Sequence, residues 1–267
     1  MKFRVLLFLL LCVITNGLWA NEATLDWQTT AYGKFALVYM KQAPFPHESR
    51  KNGFTVNSTV YSFEEHYNNS TVAIIIPKGY VPRNDANVII YIHGNMASLD
   101  RVLSVHQLGE QLDATKKQAI LIIPQGPYKV PDSMDGKLDD PDGAKKLIEE
   151  ALSLLQSESS VSLNKKPLKL KKVIIMGHSG AYYTLGSIVN KGGVNVSEAY
   201  LLDATYGQLS CFATWAKKPN HRLISIFTQH LAWRNTELMA LLNKTRTPFK
   251  VCVDTEADPS IFKNNRI

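Results

Sequence analysis

Ser179 has the sequence surroundings of a serine that acts as a nucleophile. Residues 177–181 read Gly-His-Ser-Gly-Ala and lie between a run of β-branched residues and a segment with helical character. A sharp turn from a strand into a helix exposes the central side chain at the edge of a sheet, and small neighbours give that turn room. The pattern predicts an activated serine hydroxyl; the alternative is that Ser179 only caps the following helix.

Backbone donors for a developing oxyanion are expected at two places. The apolar strand predicted over residues 88–92 ends in His93-Gly94-Asn95. In a serine hydrolase of this order, the loop after that strand carries N–H groups that face the nucleophile, and the N–H of Gly180 supplies a second donor. Gly94, Asn95 and Gly180 are therefore predicted to form an oxyanion hole, with a plain strand-to-helix turn as the alternative for the first two.

The orienting acid is expected at Asp203. This residue stands directly after an apolar strand predicted over residues 199–202, next to the strand that leads into Ser179. Because parallel strands end at the same edge of a sheet, its carboxylate is expected near the serine, where it could orient a histidine. The alternative is a residue that caps a helix or a turn.

Several short segments follow one another along the chain in a specific order. They are His93-Gly94-Asn95, Pro124-Gln125-Gly126-Pro127, Pro131-Asp132-Ser133, Gly136-Lys137-Leu138, Gly177-His178-Ser179-Gly180-Ala181 and Leu202-Asp203-Ala204-Thr205-Tyr206-Gly207. Their order resembles the α/β-hydrolase superfamily and, more narrowly, its exported hydrolases with an HGN or HGW turn. The resemblance runs from about residue 60 to residue 245. It implies a nucleophile at Ser179, oxyanion donors near Gly94, Asn95 and Gly180, and supports Asp203 as the acid.

The histidine that should act as the base is missing from its usual place. The superfamily has it in the loop after the last strand, here predicted over residues 249–253, but residues 254–267 contain no histidine. His230 follows a predicted strand at the catalytic edge and is the substitute that its position allows; an ordinary loop or helix-start role is the alternative. The other histidines are expected in packing roles (His93, His178), on a helix surface (His106) or away from the site (His47, His66, His221).

Three interpretations follow from this gap. The base has moved to His230, the chain is truncated and its histidine lies beyond Ile267, or the fold persists as a binding protein without catalysis. Of these, truncation or degeneration of an enzyme scaffold is the one we expect. The predicted activity is that of a serine hydrolase that cleaves an ester or amide bond through an acyl-enzyme on Ser179, with no cofactor and no metal ion. The alternative is a catalytically inactive α/β-hydrolase-fold binding protein.

Strand-like and helix-like segments alternate along the chain, which predicts a mostly parallel central sheet with helices on both faces. A basic start and an apolar run predict a secretory signal peptide over residues 1–20, followed by one α/β domain over residues 21–267. The expected location is secreted or periplasmic, with no membrane span after cleavage. Cys211 and Cys252 could pair in such a compartment.

Charge patterning bears on the partners. The net charge is +7, but the basic residues are dispersed apart from a cluster at residues 165–172. That cluster has no interleaved aromatic residues and is expected to be a solvated loop, so nucleic acid is not an expected partner. The expected partner is a small-molecule or peptide-like substrate. The acidic segment at residues 132–142 lacks the twelve-residue pattern of a Ca²⁺ loop and is expected to be a solvated loop that caps the next helix.

Overall fold

The structure is a computed structural model that describes residues 25–253. The signal peptide predicted over residues 1–20 and the C-terminal residues 254–267 lie outside the described residues. Within the part that is described, no helix is both long and apolar enough to cross a membrane.

Ten strands and seven helices follow one another along the described residues. The strands are β1 (Gln28–Thr30), β2 (Gly33–Tyr39), β3 (Phe54–Val56), β4 (Thr59–Tyr61), β5 (Thr71–Pro77), β6 (Asp85–Ile92), β7 (Ile120–Pro124), β8 (Lys169–His178), β9 (Val196–Leu202) and β10 (Arg222–Ile226). The helices are α1 (Phe63–His66), α2 (Leu99–Val105), α3 (Leu108–Ala114), α4 (Gly143–Leu155), α5 (Tyr182–Lys191), α6 (Leu209–Ala216) and α7 (Ala232–Lys244).

Eight of these strands form one sheet, in the order β1-β2-β5-β7-β6-β8-β9-β10. The pairs from β1 to β7 are antiparallel, whereas β7, β6, β8, β9 and β10 pair in parallel. The carboxyl ends of β6, β8 and β9 therefore meet at one edge, the place where ligands bind in open α/β sheets. The remaining strands, β3 and β4, form a separate hairpin.

Helices cover both faces of the sheet, and two apolar clusters fill the space between. On one face, side chains such as Ile90 and Ile175 pack with Leu147 of α4 and Phe212 of α6. On the other face, alternate strand residues pack against α2 and α3. All five residues of β7 are buried, as a strand covered on both faces requires. The predicted mostly parallel sheet with helices on both faces is confirmed.

Two local expectations about strands are wrong. Residues 249–253 form no strand, and Val251 and Val253 are more than half exposed. An apolar run becomes a strand only where a neighbour pairs with it, and none of the described residues does so here. The basic cluster at residues 165–172 is also not a single loop. Lys165 belongs to a short 3₁₀ turn over Leu163–Lys165, and β8 already begins at Lys169.

Both cysteines of the described residues are free thiols. Cys211 lies half-buried on α6, and Cys252 is exposed near the end of the described chain. The disulfide considered from the sequence is therefore not formed in this structure.

Candidate functional site

Ser179 occupies the turn that joins β8 to α5. A short 3₁₀ turn over Ser179–Ala181 links the two elements, and the N-cap positions fall on His178 and Ala181, so Ser179 does not serve as the cap. Its backbone has a φ of 54°, in the left-handed region that costs a residue with a side chain about 1–2 kcal/mol. A Cβ on Gly177 would lie 2.6 Å from the Ala181 Cβ, which explains the small residues around the serine.

The loop after β6 lies directly against this turn. A Cβ built on Gly94 would lie 3.0 Å from the Ser179 Cβ, and one built on Gly180 would lie 3.0 Å from the Asn95 backbone nitrogen. The Asn95 side chain is held by the Ser133 hydroxyl, which donates to its Oδ1 over 3.1 Å. The structure thus brings Gly94, Asn95, Ser179 and Gly180 together at one turn, where the sequence predicted an oxyanion hole.

His93 supports that loop from inside the protein. Its Nε2 accepts a hydrogen bond from the Gly126 N–H at 2.9 Å, so Nδ1 carries the proton and donates to the Gly94 carbonyl at 2.9 Å. Burial lowers the pKa of His93. Both ring nitrogens are engaged, which leaves His93 in the packing position expected from the sequence.

Asp203 stands at the carboxyl end of β9 and holds the loop that follows β10. Its carboxylate accepts hydrogen bonds from the Thr228 backbone N–H at 2.7 Å and from the Thr228 hydroxyl at 2.8 Å. Its own N–H donates to the Ile226 carbonyl at 2.7 Å. Like Ser179, Asp203 has a left-handed backbone, with a φ of 47°. Two neighbouring strands are therefore each followed by a residue that has a left-handed backbone and a polar side chain.

His230 lies in the 3₁₀ turn over Gln229–Leu231, close to Asp203 but without a direct hydrogen bond to it. Its Nδ1 is 2.7 Å from the Thr228 hydroxyl oxygen, and its Nε2 is 2.8 Å from the Tyr206 hydroxyl. Among the residues described, neither ring nitrogen is hydrogen-bonded to Ser179. The structure thus brings Asp203 and His230 together through Thr228, but does not place the ring of His230 on the serine.

Sequence reasoning missed Thr228 and Tyr206 as members of this group. Tyr206 belongs to the segment that follows Asp203, and Thr228 lies two residues before His230. The sequence could have indicated Thr228, because it is a polar residue only two positions before the candidate base. The ring of Tyr206 also approaches Tyr182 of α5, with centroids 6.0 Å apart, which connects this group to the helix that follows Ser179.

The position expected for His106 is wrong. His106 lies half-buried at the end of α2, and its Nδ1 is hydrogen-bonded to the Tyr91 hydroxyl of β6 at 2.7 Å. Its ring meets that of His178 edge to face at 5.7 Å, so it lies close to the serine turn, and desolvation lowers its pKa. Three other histidines are bonded elsewhere: His47 to Asp140, His66 to the Tyr128 carbonyl and His221 to the Trp215 carbonyl.

The acidic segment is largely buried, and the expectation of a solvated loop is wrong. Asp132, Asp135 and Asp139 are each at most 7% exposed. Asp132 forms a two-bond ion pair with Arg50, at 2.6 and 3.0 Å, and accepts the Tyr67 hydroxyl at 3.0 Å. These partners come from distant parts of the chain, so the local sequence gives no sign of them.

The same segment reaches the helix that follows Ser179. Asp139 accepts the Thr184 hydroxyl of α5 at 2.8 Å and the Asp135 N–H at 2.7 Å. Burial raises the pKa of Asp139 to about 6, and burial together with the Asp139 charge raises the pKa of Asp135 well above its usual range. Asp142 precedes α4, but its side chain makes no capping hydrogen bond.

A groove of about 540 Å³ lies at another part of the surface. It is lined by residues of α4, by the start of β8 around Leu168 and by the loop at Val194. It therefore opens near the amino end of β8, whereas ligands of open α/β sheets bind beyond the carboxyl ends. Within residues 25–253, no group of three or more His, Cys, Asp or Glu side chains is arranged to hold a metal ion.

Comparisons with known proteins give structural likeness at low sequence identity. No protein-family model matches the chain, and no curated protein matches it. The fluorophosphonate-binding serine hydrolase FphF of Staphylococcus aureus is similar with a TM-score of 0.44 and 13% identity, over 69% of this chain and 84% of that one. S-formylglutathione hydrolase FrmB of the same organism gives 0.42 and 11%, over 67% and 82%. An S-formylglutathione hydrolase of Agrobacterium tumefaciens gives 0.41 and 12%, over 83% and 98%.

The strand order and the connections of this chain are those of the α/β-hydrolase fold. The antiparallel strand β5 borders a block of five parallel strands, and β8 is the middle strand of that block. Ser179 follows β8 at the carboxyl edge of the sheet, with a left-handed backbone. This is the setting of a nucleophile on a strand-to-helix turn.

Proposed function

We propose that this protein is a serine hydrolase, which transfers the acyl group of an ester or amide to water through Ser179. The proposal rests above all on the left-handed backbone of Ser179 at the turn from β8 into α5. Backbone strain of this kind persists only where the surrounding structure enforces it, and it clusters at functional sites. The loop at Gly94 and Asn95, packed against the same turn, supports this function.

The proposed reaction begins when the Ser179 Oγ attacks the carbonyl carbon of the substrate. The carbonyl π bond breaks, and its electron pair moves onto the oxygen, where the N–H groups of Gly180 and of the loop at Gly94 and Asn95 stabilise it. The serine proton passes to Nε2 of His230. When the carbonyl re-forms, the bond from its carbon to the leaving oxygen or nitrogen breaks, and His230 gives that atom the proton, which leaves the acyl-enzyme. Water then attacks the acyl carbon and gives a proton to Nε2 of His230, the ester bond to the Ser179 Oγ breaks, and His230 returns the proton to that oxygen as the acid is released. Asp203 stabilises the positive charge of His230 in both steps.

We further propose that the enzyme acts outside the cytoplasm, in the secreted or periplasmic space, on a small-molecule or peptide-like substrate. The basic and apolar N-terminal sequence supports export. The absence of a long amphipathic lid segment from the sequence favours a small ester or peptide-like bond over a triglyceride.

A binding protein without catalysis is the second candidate, and one observation favours it. The Nε2 of His230, which should accept the serine proton, is instead hydrogen-bonded to the Tyr206 hydroxyl. Catalysis through His230 requires this contact to open.

Hydrolysis of p-nitrophenyl acetate and butyrate separates the two candidates. The wild-type protein should release p-nitrophenol, and Ser179→Ala should reduce kcat by about 10³-fold or more. Ser153→Ala, which changes an exposed serine of α4, is the matched control and should retain the wild-type rate. Equal rates for wild type and Ser179→Ala would favour the binding protein.

A further inference from the structure

We propose that Thr228 is a positioning residue, whose hydroxyl joins Asp203 to His230 and fixes the ring tautomer that a general base needs. Its contribution to catalysis rests on the hydrolase function proposed above, whereas its effect on the imidazole ring does not.

The direction of each hydrogen bond follows from a count of protons. An ionised carboxylate only accepts, and a threonine hydroxyl has a single proton to donate. The Thr228 Oγ1 lies 2.8 Å from Asp203 Oδ2, so the hydroxyl proton points at Asp203. The same oxygen lies 2.7 Å from Nδ1 of His230 and must therefore accept the Nδ1–H proton.

This direction decides which nitrogen of the neutral ring is free to accept a proton. With the proton on Nδ1, Nε2 keeps its lone pair and accepts the Tyr206 hydroxyl at 2.8 Å. In a serine triad the carboxylate itself holds Nδ1–H and so fixes the same tautomer. Here one hydroxyl stands between the two groups and relays the effect of the Asp203 charge.

The backbone holds Thr228 in place independently of its side chain. Its N–H donates to Asp203 Oδ1 at 2.7 Å, and the Asp203 N–H donates to the Ile226 carbonyl at 2.7 Å. Thr228 is exposed, so Thr228→Val replaces the hydroxyl by a methyl group without opening a cavity. The backbone contacts should survive, and Thr228→Ser should restore the hydroxyl.

The first test uses ¹⁵N NMR of the histidine rings in the full chain, with His230→Gln to assign the His230 signals. Wild type and Thr228→Ser should show neutral His230 with the proton on Nδ1, and Thr228→Val should shift the population towards Nε2–H. Thr236→Val is the matched control, since its hydroxyl bonds the Ala232 carbonyl within α7 at 3.0 Å; it should leave the tautomer unchanged. Nε2–H in wild type, or no shift in Thr228→Val, overturns the proposal.

The second test is the kinetic effect of the same variants. Thr228→Val should lower kcat by about 10- to 100-fold with little change in KM, as expected for loss of a hydrogen bond to a charged partner, and Thr228→Ser should recover most of that loss. An unchanged kcat in Thr228→Val overturns the relay. If wild type is inactive towards every ester, the hydrolase function fails, while the ring spectra still decide whether Thr228 sets the tautomer.

Discussion

The Thr184 hydroxyl donates a buried hydrogen bond to the Asp139 carboxyl over 2.8 Å, and this contact ties the acidic segment to α5. Because α5 begins three residues after Ser179, the segment and the serine turn share one support. Asp135 lies close to the same region, because its Oδ1 would clash with a Cβ on Gly126, whose N–H is hydrogen-bonded to His93. The protonation of two buried carboxyl groups therefore bears on the part of the fold that holds the site.

Stability should fall as the pH rises past the range in which Asp139 ionises. Burial raises the pKa of Asp139 from 3.8 to about 6, so the folded protein favours the neutral form. The stabilisation is complete below the ordinary value and is lost as the pH rises through about 6. Urea unfolding between pH 4 and pH 7 should show a loss on the order of 1–3 kcal/mol from this group.

Asp139→Asn isolates that contribution, because the amide keeps the shape of the side chain and does not ionise. The variant should show a smaller decline in unfolding free energy over the same pH range. Asp26→Asn changes an exposed carboxylate near β1 and should decline as wild type does. Parallel curves for wild type and Asp139→Asn would contradict the role given to Asp139.

Strain at Ser179 should be measurable in the free energy of unfolding. Ser179→Gly removes the Cβ that makes a left-handed backbone costly, whereas Ser153→Gly in α4 only weakens a helix. The control should lose about 0.5–1 kcal/mol. Because Ser179→Gly also relieves the strain, its free energy of unfolding should be about 1–2 kcal/mol higher than that of the control. The Ser179→Gly variant has no nucleophile, so only its stability is compared. Equal losses in the two variants would show that the turn is unstrained.

The sequence predicted the features that depend on residues close together in the chain, and it failed where a feature depends on a distant partner. The serine turn depends on residues 177–181 and on the strand before them, so a local pattern was sufficient to locate it. The sheet was predictable because buried strands and amphipathic helices leave periodic patterns. The strand expected over residues 249–253 failed because a strand depends on a pairing neighbour, which a local pattern does not include.

Local sequence patterns could not predict the surroundings of the acidic segment. Arg50, Tyr67 and Thr184 neutralise or hydrogen-bond its carboxyl groups from 45 or more positions away along the chain. A run of five aspartates with a single lysine among them is ordinarily solvated, so a surface loop was expected. The link from Asp203 to His230 was missed for a similar reason, since it joins the ends of two strands through Thr228.

Removing the Tyr206 hydroxyl should increase activity. Tyr206→Phe keeps the ring beside Tyr182 but frees Nε2 of His230 to accept the serine proton. Because a hydrogen bond of this type is worth about 0.5–1.5 kcal/mol, kcat/KM should rise by about 2- to 10-fold. Tyr39→Phe alters an 81% exposed tyrosine on β2 and should have no effect. A decrease in Tyr206→Phe would instead assign the phenol a part in proton transfer.

Fluorophosphonate labelling, read by intact mass and peptide mapping, tests the activated serine most directly. The probe reacts covalently with serines whose hydroxyl is activated, so it reports reactivity without knowledge of the substrate. We predict a single adduct per wild-type chain, located on Ser179, and none on a folded Ser179→Ala variant. A folded wild-type chain that takes up no probe, or equal labelling of Ser179→Ala, would contradict the assignment of Ser179 as the nucleophile.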